Sequence, residues 1–249
     1  MNCVKCGHEV TSNFCPNCGH STREVRFDWR YLVQKLIQSF DISKGFFFTL
    51  RQLVIRPGQS IRSLLLGKST GYSNPVKLIL IVGAVTNYLT FQFSIFNSET
   101  VTEGLFGVQL ADLEGYYEYS TKYFSFFTLT AIPLFALFSW LIFRKEGFNY
   151  IENLVFNMYV GVGQFLILLA FIPLIVLFHN EAIGWIYGIF NISYNVWAVI
   201  YFFVAFSAAG IAKSLLAIAI PQIAAYFMNY LLYSIMPTSF WLFLDNVLA

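Results

Sequence analysis

Charge is scarce in this chain. Asp, Glu, Lys and Arg make up 11% of its 249 residues, where a soluble domain carries about 25%. The deficit lies after Lys77, which excludes an ordinary solvated surface for that part. Histidine is scarcer still: three residues, of which only His179 lies beyond residue 20. Cysteine stops at Cys18. The motifs GxSxG, HExxH and GxxxxGK[ST] do not occur, so nothing points to the usual hydrolase, zinc-protease or nucleotide chemistry. No catalytic residue is nominated, and the expectation is a non-enzymatic protein. The opening MNCVKCGHEV has no apolar run of the kind a secretory signal needs, so the first spanning segment itself would direct insertion. Internal repeats and low-complexity stretches are absent as well.

What is present is apolar. Hydrophobic residues make up 57% of the chain, and mean hydropathy is +0.64. That composition predicts an all-α polytopic membrane protein. Three regions follow: residues 1–20 as a zinc ribbon, 21–75 as a cytoplasmic linker with amphipathic juxtamembrane helices, and 76–249 as a five-span transmembrane domain.

Cys3, Cys6, Cys15 and Cys18 form C-x2-C-x8-C-x2-C. Each pair can close a tight knuckle, with Gly7 and Gly19 supplying turns that bulkier residues resist. Four thiolates make a closed tetrahedral set suited to one structural Zn2+. Disulfides or free thiols are the alternative. A catalytic zinc does not fit, because four thiolates leave no open position. His8 and His20 each follow a knuckle glycine; either could replace a ligand, but with four cysteines present they are expected to be exposed. So small a module cannot hold a hydrophobic core, and metal binding has to supply its folding energy. The ribbon is also the expected docking point for a protein partner. Its basic patch, Lys5, Arg23 and Arg26, is too thin to argue for nucleic acid.

Between ribbon and spans the chain is amphipathic. Trp29, Leu32, Val33, Leu36, Ile37 and Phe40 fall on one face of a helix over 27–40, with Asp28 as its N-cap. At about 14 residues it is too short to span a bilayer, so it either lies on the membrane surface or packs against the bundle. A second helix is expected over 44–55, broken by Pro57-Gly58, and a third over 59–66. Trp29, Lys35, Lys44, Arg51, Arg56, Arg62 and Lys68 are candidate membrane-surface residues, cations that stay wet while apolar stems enter lipid. Anionic lipids are the implied partner.

Five spans are predicted over 76–96, 122–143, 154–178, 188–208 and 214–233. Eleven of the fifteen Lys and Arg precede or include Lys77. Arg144, Lys145 and Lys213 fall on the same side if the N-terminus is cytoplasmic. The loop 97–121 carries Glu99, Glu103, Asp112, Glu114 and Glu118. The positive-inside rule then places the N-terminus in the cytoplasm and the C-terminus outside. That orientation also keeps the cysteines reduced.

The run from Asp41 to Pro75 resembles the DUF3667 family of uncharacterised bacterial zinc-ribbon membrane proteins. The residues that carry the likeness are Asp41, Lys44, Gly45, Phe46, Thr49 and Leu50, then Pro57, Gly58, Ile61 and Arg62, then Gly67, Lys68, Tyr72 and Pro75. Many relatives have His after the acid of a later aromatic-acidic run, where this chain has Asn153 after Glu152. The resemblance implies a bacterial cytoplasmic (inner) membrane and a zinc ribbon, and it carries no established activity. At fold level the arrangement also looks like the Yip1 superfamily of membrane scaffold proteins, although fold does not give function.

Ionisable residues are nearly absent from the spans, which carry amides instead. Asn87, Asn157, Gln164, Asn191, Asn195, Gln222 and Asn229 either hydrogen-bond between helices or line a polar cavity for a small solute or lipid headgroup. Asn191 and Asn195 share one helical face, as do Gln222 and Asn229. Gly161 and Gly163 are expected at close helix contacts. Two functions follow: a scaffold, sensor or regulator whose ribbon docks a partner, or a carrier working through the amide-lined spans.

Overall fold

The computed structural model describes Cys3 and residues 6–9, 15–18, 45–68, 71–93, 95, 116, 120, 122–178 and 181–235. The expected helix over 27–40, with Trp29 and Lys35, lies outside these residues, as do Lys44, Gly19, His20 and His179. The described part is all-helical in its regular elements: α1 (Phe46–Ile55), α2 (Pro57–Leu65), α3 (Pro75–Gln92), α4 (Phe124–Ile142), α5 (Tyr150–Phe178), α6 (Glu181–Phe203) and α7 (Ala208–Ile235). A 3-10 turn, Arg144–Glu146, follows α4. Four helices, α3, α5, α6 and α7, are long and apolar enough to cross a membrane, which makes this a multi-pass membrane protein. The fifth apolar helix, α4, has 19 residues and packs on α5 and α7.

Local chemistry sets the helix ends. Asn74 caps α3, its side chain accepting from the Val76 and Lys77 backbone nitrogens at 2.9 and 3.4 Å, with Pro75 at the first helical position. At α5, Asn149 Oδ1 accepts from the Glu152 backbone N–H at 2.8 Å, and a Glu152 carboxylate oxygen accepts from the Asn149 N–H at 2.7 Å. This reciprocal pair is a capping box, with Asn in place of Ser or Thr. Pro57 opens α2, so that helix begins two residues before the expected Gln59. Proline has no N–H to lose at a first turn and is already set at the helical φ. Helix α5 begins four residues before the expected Leu154 because its capping box lies in residues that hydropathy does not score.

Helix α5 is the hub of the fold. It packs against α3, α4 and α6, and against both short helices α1 and α2. Its residues Val155, Phe156, Val162 and Leu168, spread around the helix, are fully buried. Gly161 and Gly163 sit where close approach was expected. A Cβ on Gly161 would lie 3.1 Å from Ile79 Cδ1, and one on Gly163 would overlap the Tyr194 hydroxyl. The Tyr194 hydroxyl donates to the Leu53 carbonyl at 3.1 Å, so an α5 glycine makes room for a side chain that ties α6 to α1. On the far side of the hub, α4 and α6 each pack on α7. α5 and α7 face each other across the space between them.

Candidate functional site: a hairpin knot, a thiol cluster and an amide-lined cavity

The α1–α2 hairpin is wedged into the bundle. Gly45 takes φ +92°, a left-handed conformation that a side chain resists, and a Cβ there would overlap the Gly71 carbonyl. Its own carbonyl accepts from the Thr49 hydroxyl at 2.6 Å. The Thr49 oxygen in turn accepts from the Ser73 N–H at 2.8 Å. The Ser73 carbonyl then accepts from Tyr159 of α5 at 2.7 Å. Thr49 and Leu53 are wholly buried. In α2, Gly58 lies flat on α6, where a Cβ would sit 2.7 Å from the Phe202 nitrogen and overlap the Ala198 carbonyl oxygen.

Arg62 donates to the Phe202 carbonyl and lies 5.4 Å from the centre of the Phe148 ring. That carbonyl belongs to the last turn of α6, where oxygens lack helical partners and the dipole favours a cation. Val204 then turns left-handed at φ 55°, and the Ala205 N–H bonds back to the Ile200 carbonyl at 2.9 Å, which closes the helix in a Schellman-like turn.

The other face of α1 is exposed and apolar with cations: Phe47, Phe48, Val54 and Ile55 beside Arg51 and Arg56. Lys68 is exposed too. Of the candidate surface residues that are described, Arg51, Arg56 and Lys68 point outward, whereas Arg62 turns into the bundle.

At the other end of the chain, the four cysteine ligand atoms lie within 4.8 Å of one another, and such a group could hold a metal ion. Cys3 Sγ is 3.7 Å from Cys18 Sγ, and Cys6 Sγ is 3.6 Å from Cys15 Sγ. Both separations are far beyond the ~2.05 Å of a disulfide. Gly7 takes φ +74° and its N–H donates to the Cys3 carbonyl at 2.8 Å, which closes the expected knuckle. His8 is exposed. A hydrogen bond from the His8 backbone, followed by one from Cys18, lowers the Cys6 thiol to about 6, and a thiolate is the metal-binding form.

Within the bundle a cavity of about 430 Å³ is lined by α4, α5, α6 and α7. Six of the seven candidate amides border it: Asn157, Gln164, Asn191, Asn195, Gln222 and Asn229. Asn87, on α3, is not among the residues that line it.

Four of the six amides are engaged. Gln164 Nε2 donates to Asn191 Oδ1 at 2.9 Å, and Asn191 Nδ2 donates to the Tyr187 oxygen at 3.2 Å. Asn229 Oδ1 accepts from Thr130 at 3.0 Å, and its Nδ2 donates to the Phe127 carbonyl at 3.3 Å. Asn157 Nδ2 donates to the Asn153 carbonyl at 2.8 Å and to Ser139 Oγ at 3.1 Å. Asn195 and Gln222 make no hydrogen bond among the described residues.

Tyr116, Ser120, Thr128, Tyr187 and Tyr226 also line the cavity. None of these was singled out from the sequence. Extending the amide faces by one turn would have found two of them, since Tyr187 precedes Asn191 by four residues and Tyr226 follows Gln222 by four. Glu152 and Asn153 take structural places: the first in the capping box, the second accepting from Ser139 Oγ at 3.0 Å.

Residues 44–86 match the family described as Protein of unknown function (DUF3667). The matched stretch covers α1, α2 and two-thirds of α3, so the likeness falls on the hairpin knot rather than on the thiols or the cavity. Comparison with curated proteins and with solved structures finds no match.

Proposed function

We propose that this chain is a non-enzymatic membrane binding protein. Its cavity takes a small uncharged solute or lipid headgroup, and its hairpin links that cavity to a zinc ribbon in the cytoplasm. The observation that carries this reading is the cavity itself. Six amides converge on one space of about 430 Å³, within the ~300–1,000 Å³ range of small-molecule sites. Amides that only glued helices together would be consumed pairwise at contacts, and two of these are not.

The helix that carries Asn191 and Asn195 is the one held by Gly58, Arg62 and, through Tyr194, Leu53. A shift of α6 on ligand binding would therefore move the hairpin and whatever the ribbon docks. That is the behaviour of a sensor or regulator. A carrier is the second reading, favoured by Pro133, Pro173 and Pro221 inside three of the four cavity-lining helices, where broken helices are tolerated beside a cavity.

Zinc is the metal we assign to the thiol cluster. Tetrahedral bonds of about 2.3 Å imply edges of about 3.8 Å, close to the 3.6 and 3.7 Å separations here. The Lys and Arg distribution supports a cytoplasmic ribbon, and the exposed face of α1 fits the anionic leaflet of a bacterial inner membrane.

Native mass spectrometry of the full chain released from membrane vesicles tests the reading. The chain should carry one zinc and a bound polar small molecule or headgroup, and the latter should be lost from an Asn195→Leu/Gln222→Met variant. Chains that emerge without a ligand from both would refute the binding function.

A further inference from the structure

The cavity wall narrows the ligand class further, provided the cavity is a ligand site as proposed above. Among the described residues that line it there is no carboxylate, ammonium, guanidinium or imidazole. A ligand with a full charge would lose its hydration and find no counter-charge among those residues, and burying an unpaired charge is strongly unfavourable. A ligand of pure hydrocarbon would leave the half-buried Asn195 without a partner, which is costly away from water. The ligand therefore has to be neutral and rich in hydrogen bonds.

The two open amides restrict it again. Each offers a donor and an acceptor side by side. Groups that answer both within one short span are hydroxyls, above all adjacent hydroxyls on a ring. Part of the remaining wall is aromatic, with Phe127, Phe135 and Phe165 lining the same space. Their ring faces are negative and accept the weakly positive C–H groups of an apolar ring face. A pyranose or cyclitol has both parts: hydroxyls round its rim and C–H bonds on its face.

We infer that the cavity takes an uncharged polyhydroxylated ring, with its hydroxyls on Asn195 and Gln222 and its C–H face on the phenylalanines. The ring can arrive as a free sugar or as the headgroup of a glycolipid whose chains stay in the bilayer.

The test uses the full chain purified in lauryldimethylamine oxide, a detergent with no sugar head, and placed in phosphatidylcholine nanodiscs. D-glucose, myo-inositol, glucose 6-phosphate and acetamide are titrated by calorimetry. Monoglucosyl-dioleoylglycerol is mixed into a parallel set of nanodiscs and read by the rise in melting temperature. Glucose, inositol or the glucolipid should bind saturably, with glucose 6-phosphate at least tenfold weaker than glucose. Asn195→Leu and Gln222→Met, both close in shape to the original side chains, should each weaken binding at least tenfold. Gln222 is exposed, so its variant keeps the fold even if the Asn195 variant does not.

Binding by the free rings identifies a solute site, and binding by the glucolipid alone identifies a headgroup site; either supports the assignment. Acetamide or glucose 6-phosphate binding in place of the neutral rings overturns the ligand class while leaving the cavity a ligand site. No binding by any neutral ring overturns the class as well. The binding function itself then stands or falls on whether the mass spectra of the chain carry another ligand.

Discussion

Single residues carry the two most specific features of this chain. At the thiol cluster, one cysteine in four is enough to test the proposed metal site. Cys15 is nearly inaccessible, at 2% exposure, and its Sγ lies 3.6 Å from Cys6. Cys15→Ser should release the metal and unfold the knuckles, since binding supplies the folding energy of so small a unit. Metal analysis of purified protein should find about one zinc per chain before the change and none after it. Gly58 is the matching position in the bundle. A valine there would push into the Ala198 carbonyl and the Phe202 nitrogen, both backbone atoms that cannot swing aside. Overpacking of this kind costs about 1–3 kcal/mol, so Gly58→Val should lower the melting temperature in detergent. An unchanged melting temperature would show that α2 is not seated on α6.

Among the elements, α1 serves two surroundings at once. Thr49 and Leu53 face the bundle, while Phe47, Phe48, Val54 and Ile55 stay exposed. Lying on the membrane and packing on the spans are therefore compatible for this helix. If Arg51, Arg56 and Lys68 reach headgroups at about 1 kcal/mol each, the three together contribute roughly 3 kcal/mol towards anionic lipid. Replacing all three with Gln should remove the preference of the full chain for phosphatidylglycerol over phosphatidylcholine nanodiscs. Raising salt to 1 M should mimic the change, because the Debye length falls to about 3 Å. The connections between helices test the orientation. A cysteine placed at Ser98 should react with an impermeant reagent added outside whole cells, and one at Lys145 should not. The opposite pattern of labelling would invert the topology.

At the scale of the whole molecule, the bundle is polar without being ionisable. No Asp, Glu, His or Lys stands among the described residues in the middle of the apolar helices. Proton coupling needs a titratable group whose affinity differs between two states. Reconstituted protein should therefore show no uptake driven by a proton gradient, whatever neutral solute is offered. Solute uptake that collapses with a protonophore, and that Asn195→Leu reduces, would establish a coupled carrier in place of a sensor.

Some of this was legible in the residues alone. Hydropathy over about 20 residues locates apolar helices because a backbone in lipid must satisfy its own hydrogen bonds, and each expected span overlaps α3 to α7. Cysteine spacing brought four thiols together because two C-x2-C knuckles are local geometry. The seven amides were visible as residue types, and the 3.6-residue period grouped Asn191 with Asn195 on one face. That period could not say which helix each face would meet. Six amides share a cavity only because α4 and α6 hold α5 and α7 apart, and Asn87 on α3 stays outside its lining. Arg62 shows the same division. Its charge made it look like a headgroup anchor, and the α1–α2 hairpin turned it to the last turn of α6, a carbonyl 140 residues away. Local chemistry sets helix ends and knuckles. Which polar groups meet one another is decided by helix packing, because each contact joins residues whose separation along the chain carries no periodic signal.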